Sequence, residues 1–138
     1  MTHTIITCQK INEKQRIQHT ADLFGILFPL SIEPTVYSFA SSIANEYNGA
    51  YWEFYALSNG GFYIAPSSEQ LYQVSCENGF EGTLSADALG ITVCLYAYSH
   101  LSFSKNKAFA ELCANQYHNL RDFMLEHQEA SAILSAID

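Results

Sequence analysis

Apolar positions recur along this chain with two different periods, and the change of period marks out its elements. In residues 11–24, Ile17, Ala21 and Phe24 fall at spacings of four and three with charges between them, which predicts a helix ended by Gly25. The apolar connector Ile26-Leu27-Phe28-Pro29-Leu30 is expected to tuck against the core. A second helix follows: Ser31 or Glu33 can cap it, and Pro34 suits its first turn, where a missing N–H costs nothing. Val36, Phe39, Ala40, Ile43, Ala44 and Tyr47 repeat at helical spacing, and Asn48-Gly49 supplies the expected stop.

Next, Asn59-Gly60-Gly61 separates two aromatic-rich runs, Tyr51-Trp52-Glu53-Phe54-Tyr55-Ala56-Leu57 and Phe62-Tyr63-Ile64-Ala65-Pro66, the pattern of a β-hairpin. A two-residue loop at Asn59-Gly60 pairs Leu57 with Phe62, and a three-residue loop over Asn59-Gly60-Gly61 pairs Ser58 with Phe62. The second register is preferred because it sorts the side chains cleanly. Trp52, Phe54, Ala56, Phe62 and Ile64 share one apolar face, and Tyr51, Glu53, Tyr55 and Tyr63 share the other.

Residues 71–76 predict a third strand, Asn78-Gly79 a turn and residues 80–84 a fourth strand, giving a meander of three or four antiparallel strands. Ser85 then reads as an N-cap, with Asp87 in the first turn. The helix over 86–102 is apolar nearly all round, so burial on most sides is expected, and Gly90 points to a close approach by another element. Residues 106–127 and 129–137 predict two more helices, and residues 1–9 a loose arm or a short edge strand. The expected fold is α+β: a small antiparallel three- to four-stranded sheet packed with four to five helices, in a single compact domain over 1–138.

Charge changes the list of partners. Fourteen acidic against six basic residues give −8. Direct binding to a phosphate backbone is therefore not expected. The acidic residues are also too scattered to imitate nucleic acid. Cys8, Cys76, Cys94 and Cys113 form no CxxC pair, and the first ten residues lack the pattern of a secretory signal. The longest apolar segment, over 86–101, is too short and too polar to span a bilayer. A cytoplasmic protein with reduced thiols, away from the membrane, is the expectation.

No catalytic constellation emerges. HExxH, GxSxG and phosphate-cradling glycine loops are all missing from the chain. Cys113, His118 and His127 do not share one helix face, and Glu77 and Glu81 read as exposed turn charges rather than a glycosidase pair. Ser58 stands at a turn, where ordinary turn chemistry accounts for it. No cofactor and no metal are expected, and the expected work is binding a protein.

Two blocks add a family. The stretch Tyr47 to Pro66, written out above in part, and Asn78-Gly79-Phe80-Glu81-Gly82-Thr83-Leu84-Ser85-Ala86-Asp87-Ala88-Leu89-Gly90-Ile91 resemble the antirestriction proteins of the ArdB/KlcA type. The ending Ala132-Ile133-Leu134-Ser135-Ala136-Ile137-Asp138 looks familial too, while the first thirty residues match poorly. These proteins are carried by plasmids and genomic islands. The resemblance implies a non-enzymatic inhibitor of type I restriction–modification enzymes that protects incoming plasmid or phage DNA without mimicking DNA. Its implied partner is the type I restriction complex or an associated host factor, with the chain a monomer or homodimer. Tyrosine combines apolar area with a polar tip, so the expected contact surface is Tyr51, Glu53, Tyr55 and Tyr63 with the turn residues Asn59, Gly60, Asn78, Gly79 and Glu81. Charge reversal at Glu53 and Glu81 is expected to weaken that contact without unfolding the protein. The alternative is a small hydrolase or ligand-binding domain using Ser58 or the scattered histidines.

Overall fold

The structure, a computed structural model, describes residues 5–138. It is α+β, as expected, with five strands and five α-helices among the described residues. The chain order is β1 (Cys8–Lys10), α1 (Arg16–Phe24), α2 (Glu33–Ile43), β2 (Trp52–Leu57), β3 (Phe62–Pro66), β4 (Leu71–Ser75), β5 (Glu81–Ser85), α3 (Ala86–Leu101), α4 (Lys107–Met124) and α5 (Ala130–Ile137). The predicted arm is a short edge strand at β1, and its residues 1–4 lie outside the described residues.

The single meander is corrected. The strands form two antiparallel sheets, β1-β2-β3 and β4-β5. The reason lies at the outer edge of β3. The Cys94 thiol of α3 contacts both the N–H and the carbonyl of Ile64 at 3.5 Å, and the Tyr98 hydroxyl donates to the Phe62 carbonyl at 2.7 Å. A helix therefore seals the edge where a fourth strand would pair. Gly90 makes this approach possible: a Cβ there would stand 2.3 Å from Ala65 Cβ and 2.5 Å from the Ile64 carbonyl oxygen. α3 is the central element of the core, packed by β3, α2, α4 and α5 and buried around most of its circumference.

The β2–β3 hairpin has its three-residue loop, one position earlier than expected. The Leu57 N–H donates to the Gly61 carbonyl at 2.9 Å, so Ser58, Asn59 and Gly60 form the loop and Ala56 faces Phe62. Gly60, at φ 89°, takes the left-handed position that closes such a loop. The expected register is off by two residues, an even number, so the division of side chains between faces survives. The same loop recurs at Glu77, Asn78 and Gly79: Cys76 N–H donates to the Phe80 carbonyl at 2.9 Å, and Gly79 sits at φ 94°.

The N-terminal half departs further from expectation. Neither Ser31 nor Glu33 caps α2, because the π-helical turn Phe28–Ile32 runs straight into it. α2 stops at Ile43, not at Asn48-Gly49, since Ala44 turns extended and bridges to Val74 of β4. Tyr47 leaves the helix and sets its ring edge-on against Trp52, whose indole N–H donates to the Tyr47 hydroxyl at 3.1 Å. α1 buries Thr20 and Phe24 but leaves Ile17 84% exposed. In the connector, Phe28 is buried and Ile26 and Leu30 are not.

Candidate functional site

β2 and β3 bring Glu53, Tyr55 and Tyr63 to one face, as the alternation requires, while Tyr51 precedes β2 and lines a cavity with Phe54 of the other face. Tyr55 and Tyr63 stack at 4.8 Å, and Phe123 of α4 stacks with Tyr63 at 6.0 Å. Tyr63 is thereby only 2% exposed, so it is withdrawn as a contact residue. Glu53 is also largely enclosed. Its carboxylate takes Lys10 Nζ at 3.0 Å and Arg16 at 3.5 Å. The Arg16 guanidinium lies over the Tyr51 and Phe54 rings, 5.0 and 4.6 Å from their centroids, and donates to the Trp52 carbonyl. Reversing Glu53 would set a cation against a mostly buried guanidinium, which argues against the expectation that such a variant keeps its fold.

The turn residues lie elsewhere. Asn59 Nδ2 donates to the Asn119 carbonyl on α4 at 2.9 Å. Asn78 Nδ2 reaches the end of α5, where the carbonyls of Ser135, Ala136 and Asp138 accept at 2.9–3.2 Å. Asn59, Gly60, Asn78, Gly79 and Glu81 are all exposed. The nine expected residues are thus spread over the tyrosine strands, a turn held against α4 and a turn held against the end of α5.

The tyrosine face leads into a polar cluster that neighbouring positions in the chain do not reveal. Tyr63 donates to Asp87 Oδ1 at 2.7 Å, and the Cys8 thiol sits 3.7 Å from the Tyr63 hydroxyl. His127 Nε2 donates to Asp87 Oδ2 at 2.8 Å, and His127 Nδ1 accepts the Glu129 N–H at 2.9 Å. Ser85, the N-cap of α3, donates its hydroxyl to Glu129 and accepts the Ala88 N–H. Asp87 stands between two clefts of about 430 and 550 Å³ and lines both.

Burial works to raise the Asp87 pKa, but hydrogen bonds from His127 and Tyr63 and the His127 charge outweigh it and hold the carboxyl below its ordinary value. The hydrogen bond to Asp87 raises the pKa of His127, against burial. The Glu129 N–H aimed at Nδ1 acts in the other direction, favouring the neutral ring. Burial, first, pushes the Tyr63 hydroxyl far up, and pushes the Cys8 thiol up as well, so neither ionises readily.

Chemically this cluster is a clamp. Both ring nitrogens of His127 are engaged, which leaves none to take a proton from a nucleophile. Ser58 is engaged too: its hydroxyl oxygen accepts the Thr7 N–H at 2.8 Å and ties the hairpin to the strand beside it. Among the described residues no group of three or more His, Cys, Asp or Glu could hold a metal ion. The four cysteines are free thiols, with Cys76, Cys94 and Cys113 buried. No single helix among the described residues is long and apolar enough to cross a membrane.

Comparison with known proteins places the chain. Residues 45–138 match the family described as antirestriction protein. An antirestriction protein KlcA from Escherichia coli is 38% identical over 135 residues, covering 96% of this chain and 95% of that protein. An uncharacterized protein YafX from Escherichia coli strain K12 is 34% identical over 137 residues, covering 96% and 88%. A solved structure matches with a TM-score of 0.90 at 38% identity, covering 100% of each chain. It comes from work on the KlcA and ArdB proteins that describes a novel fold and antirestriction activity against type I DNA restriction systems in vivo but not in vitro.

Proposed function

The chain belongs to the antirestriction protein family, and from that premise we propose that it protects incoming plasmid or phage DNA from type I restriction–modification cleavage by binding a protein, without catalysis and without DNA mimicry. The observation that carries this reading is the match of the whole fold, end to end, to the KlcA and ArdB structure. Binding rather than catalysis is supported by the engagement of Ser58 and of both nitrogens of His127. The scattering of the acidic residues, with Glu53 and Asp87 spent on internal partners, speaks against a DNA-like stripe.

The target is the restriction complex or a host factor associated with it, met in the cytoplasm. The in vivo but not in vitro activity described for KlcA and ArdB supports a target that needs the cell around it. Tyr51, Tyr55, Asn59, Gly60, Asn78, Gly79 and Glu81 are the candidates for contact that retain exposure. The test pairs two assays, plating of unmodified phage on cells with a type I system and cleavage by the purified enzyme. Protection in the first is expected, and its absence at good expression would overturn the reading.

A further inference from the structure

A second surface is built differently from the tyrosine face. Between α1, the turn after it and the start of β2 lies an open groove of about 600 Å³. Buried Phe28 and Phe54 line it together with Ile17 and Ile26, which are 84% and 69% exposed. Two large aliphatic side chains left in water beside one cavity form a patch rather than scattered exposure. The groove also takes in Glu13 and Glu33, and neither has an ion-pair partner among the described residues. Its one lining cation, Arg16, is neutralised by Glu53 and covered by the Tyr51 and Phe54 rings.

We propose that this groove is where the protein target docks, through an amphipathic helix with an apolar face and basic flanks. The proposal rests on the antirestriction reading and names a partner surface for it. Charge selects the occupant. A second copy of this chain would bring Glu13 and Glu33 toward the same carboxylates, on a molecule that already carries −8. Nucleic acid and an anionic bilayer meet the same repulsion. A helix offering apolar side chains at i, i+3, i+4 and i+7 fills an apolar groove, and lysines or arginines beside them reach the two carboxylates. Tyr51, one of the expected contact residues, also lines this groove.

The test uses the full chain, isotope-labelled for NMR, and two synthetic helical peptides. Both carry leucines at i, i+3, i+4 and i+7; one is flanked by lysines and the other by glutamates. The lysine peptide is expected to shift the resonances of Ile17, Ile26, Phe28 and Tyr51, and to bind roughly tenfold tighter than the glutamate peptide. Ile26→Glu should weaken it by roughly tenfold again. Equal binding of both peptides, shifts confined to another face, or no binding overturns the proposal. So does a concentration-dependent dimer of the wild type that Ile26→Glu abolishes, because the occupant is then a second copy.

In cells, the Ile17→Glu/Ile26→Glu double variant with unchanged thermal unfolding should lose phage protection. If it protects as well as the wild type, the groove proposal falls and the functional reading stands. If the wild type itself fails to protect, the functional reading falls, and the peptide titration still judges the groove.

Discussion

At the scale of single residues, two positions and one pair hold more than their residue types suggest. Gly90 is one. Alanine is the better helix former by about 1 kcal/mol. Here, however, the added methyl meets Ala65 and the Ile64 backbone of β3 at 2.3–2.5 Å, and a strand cannot step aside as a flexible side-chain tip can. Gly90→Ala is therefore expected to destabilise the fold by about 1–3 kcal/mol in denaturant unfolding, the usual cost of overpacking; a stabilised variant would show that α3 stands farther from β3. Glu53 is the second. Glu53→Lys leaves the Arg16 guanidinium facing a like charge, and a loss of about 3 kcal/mol is expected by the same measurement. Asp87 with His127 is the third. Asp87 is held below its ordinary pKa, so its contribution is present above the unfolded carboxylate value and is lost as pH falls through the folded one. His127 is raised, so its contribution is present below the unfolded histidine value and is lost as pH rises through the folded one. The two unfolded values, about 3.9 and about 6.5, bound the window in which both act. The Tm difference between wild type and His127→Gln, followed across pH, should be largest inside it and shrink on both sides.

At the scale of elements, two hairpins share one device. In each, an asparagine Oδ1 accepts the N–H two residues on, the following glycine takes positive φ, and the asparagine Nδ2 reaches a helix. Asn78 is the more heavily used, because three carbonyls at the end of α5 converge on it. Asn78→Ala should cost about 1–2 kcal/mol and expose the amides of α5 to hydrogen exchange. Asn78→Asp should cost more than alanine does, since it turns a carboxylate toward the negative end of a helix. Equal exchange in all three proteins would remove Asn78 as the fastening of α5. These elements also show what periodicity can and cannot reveal. The apolar circumference of α3 and the parity of the β2–β3 hairpin follow from local spacing, and both are found. That β4 does not extend the first sheet follows from Cys94 and Tyr98 reaching the edge of β3, a contact between positions some thirty residues apart. The Asp87–His127 pair joins positions forty residues apart, each ordinary on its own. In α1 the spacing of Ile17, Ala21 and Phe24 suits a buried stripe, yet the helix is oriented by Arg16 reaching Trp52 and Glu53, and Ile17 turns outward.

At the scale of the whole molecule, the fold is organised around one buried helix, and the surfaces it leaves differ in character. The tyrosine face closes over the Asp87–His127 clamp, and the groove beside α1 stays open, apolar and acidic at its edges. A net charge of −8 with scattered acidic residues supports the proposed reading, in which the molecule meets a protein rather than holding or imitating DNA. Membership of the antirestriction family supports type I restriction as the setting of that proposed meeting. The central claim is that the meeting spares foreign DNA while leaving the host's own modification intact. The direct measurement is the plating efficiency of unmodified phage on cells with a type I restriction system, with and without this protein, read beside methylation of the host's recognition sites. The account expects plating to rise severalfold or more with methylation unchanged. Unchanged plating at good expression, or a rise accompanied by lost methylation, would contradict it.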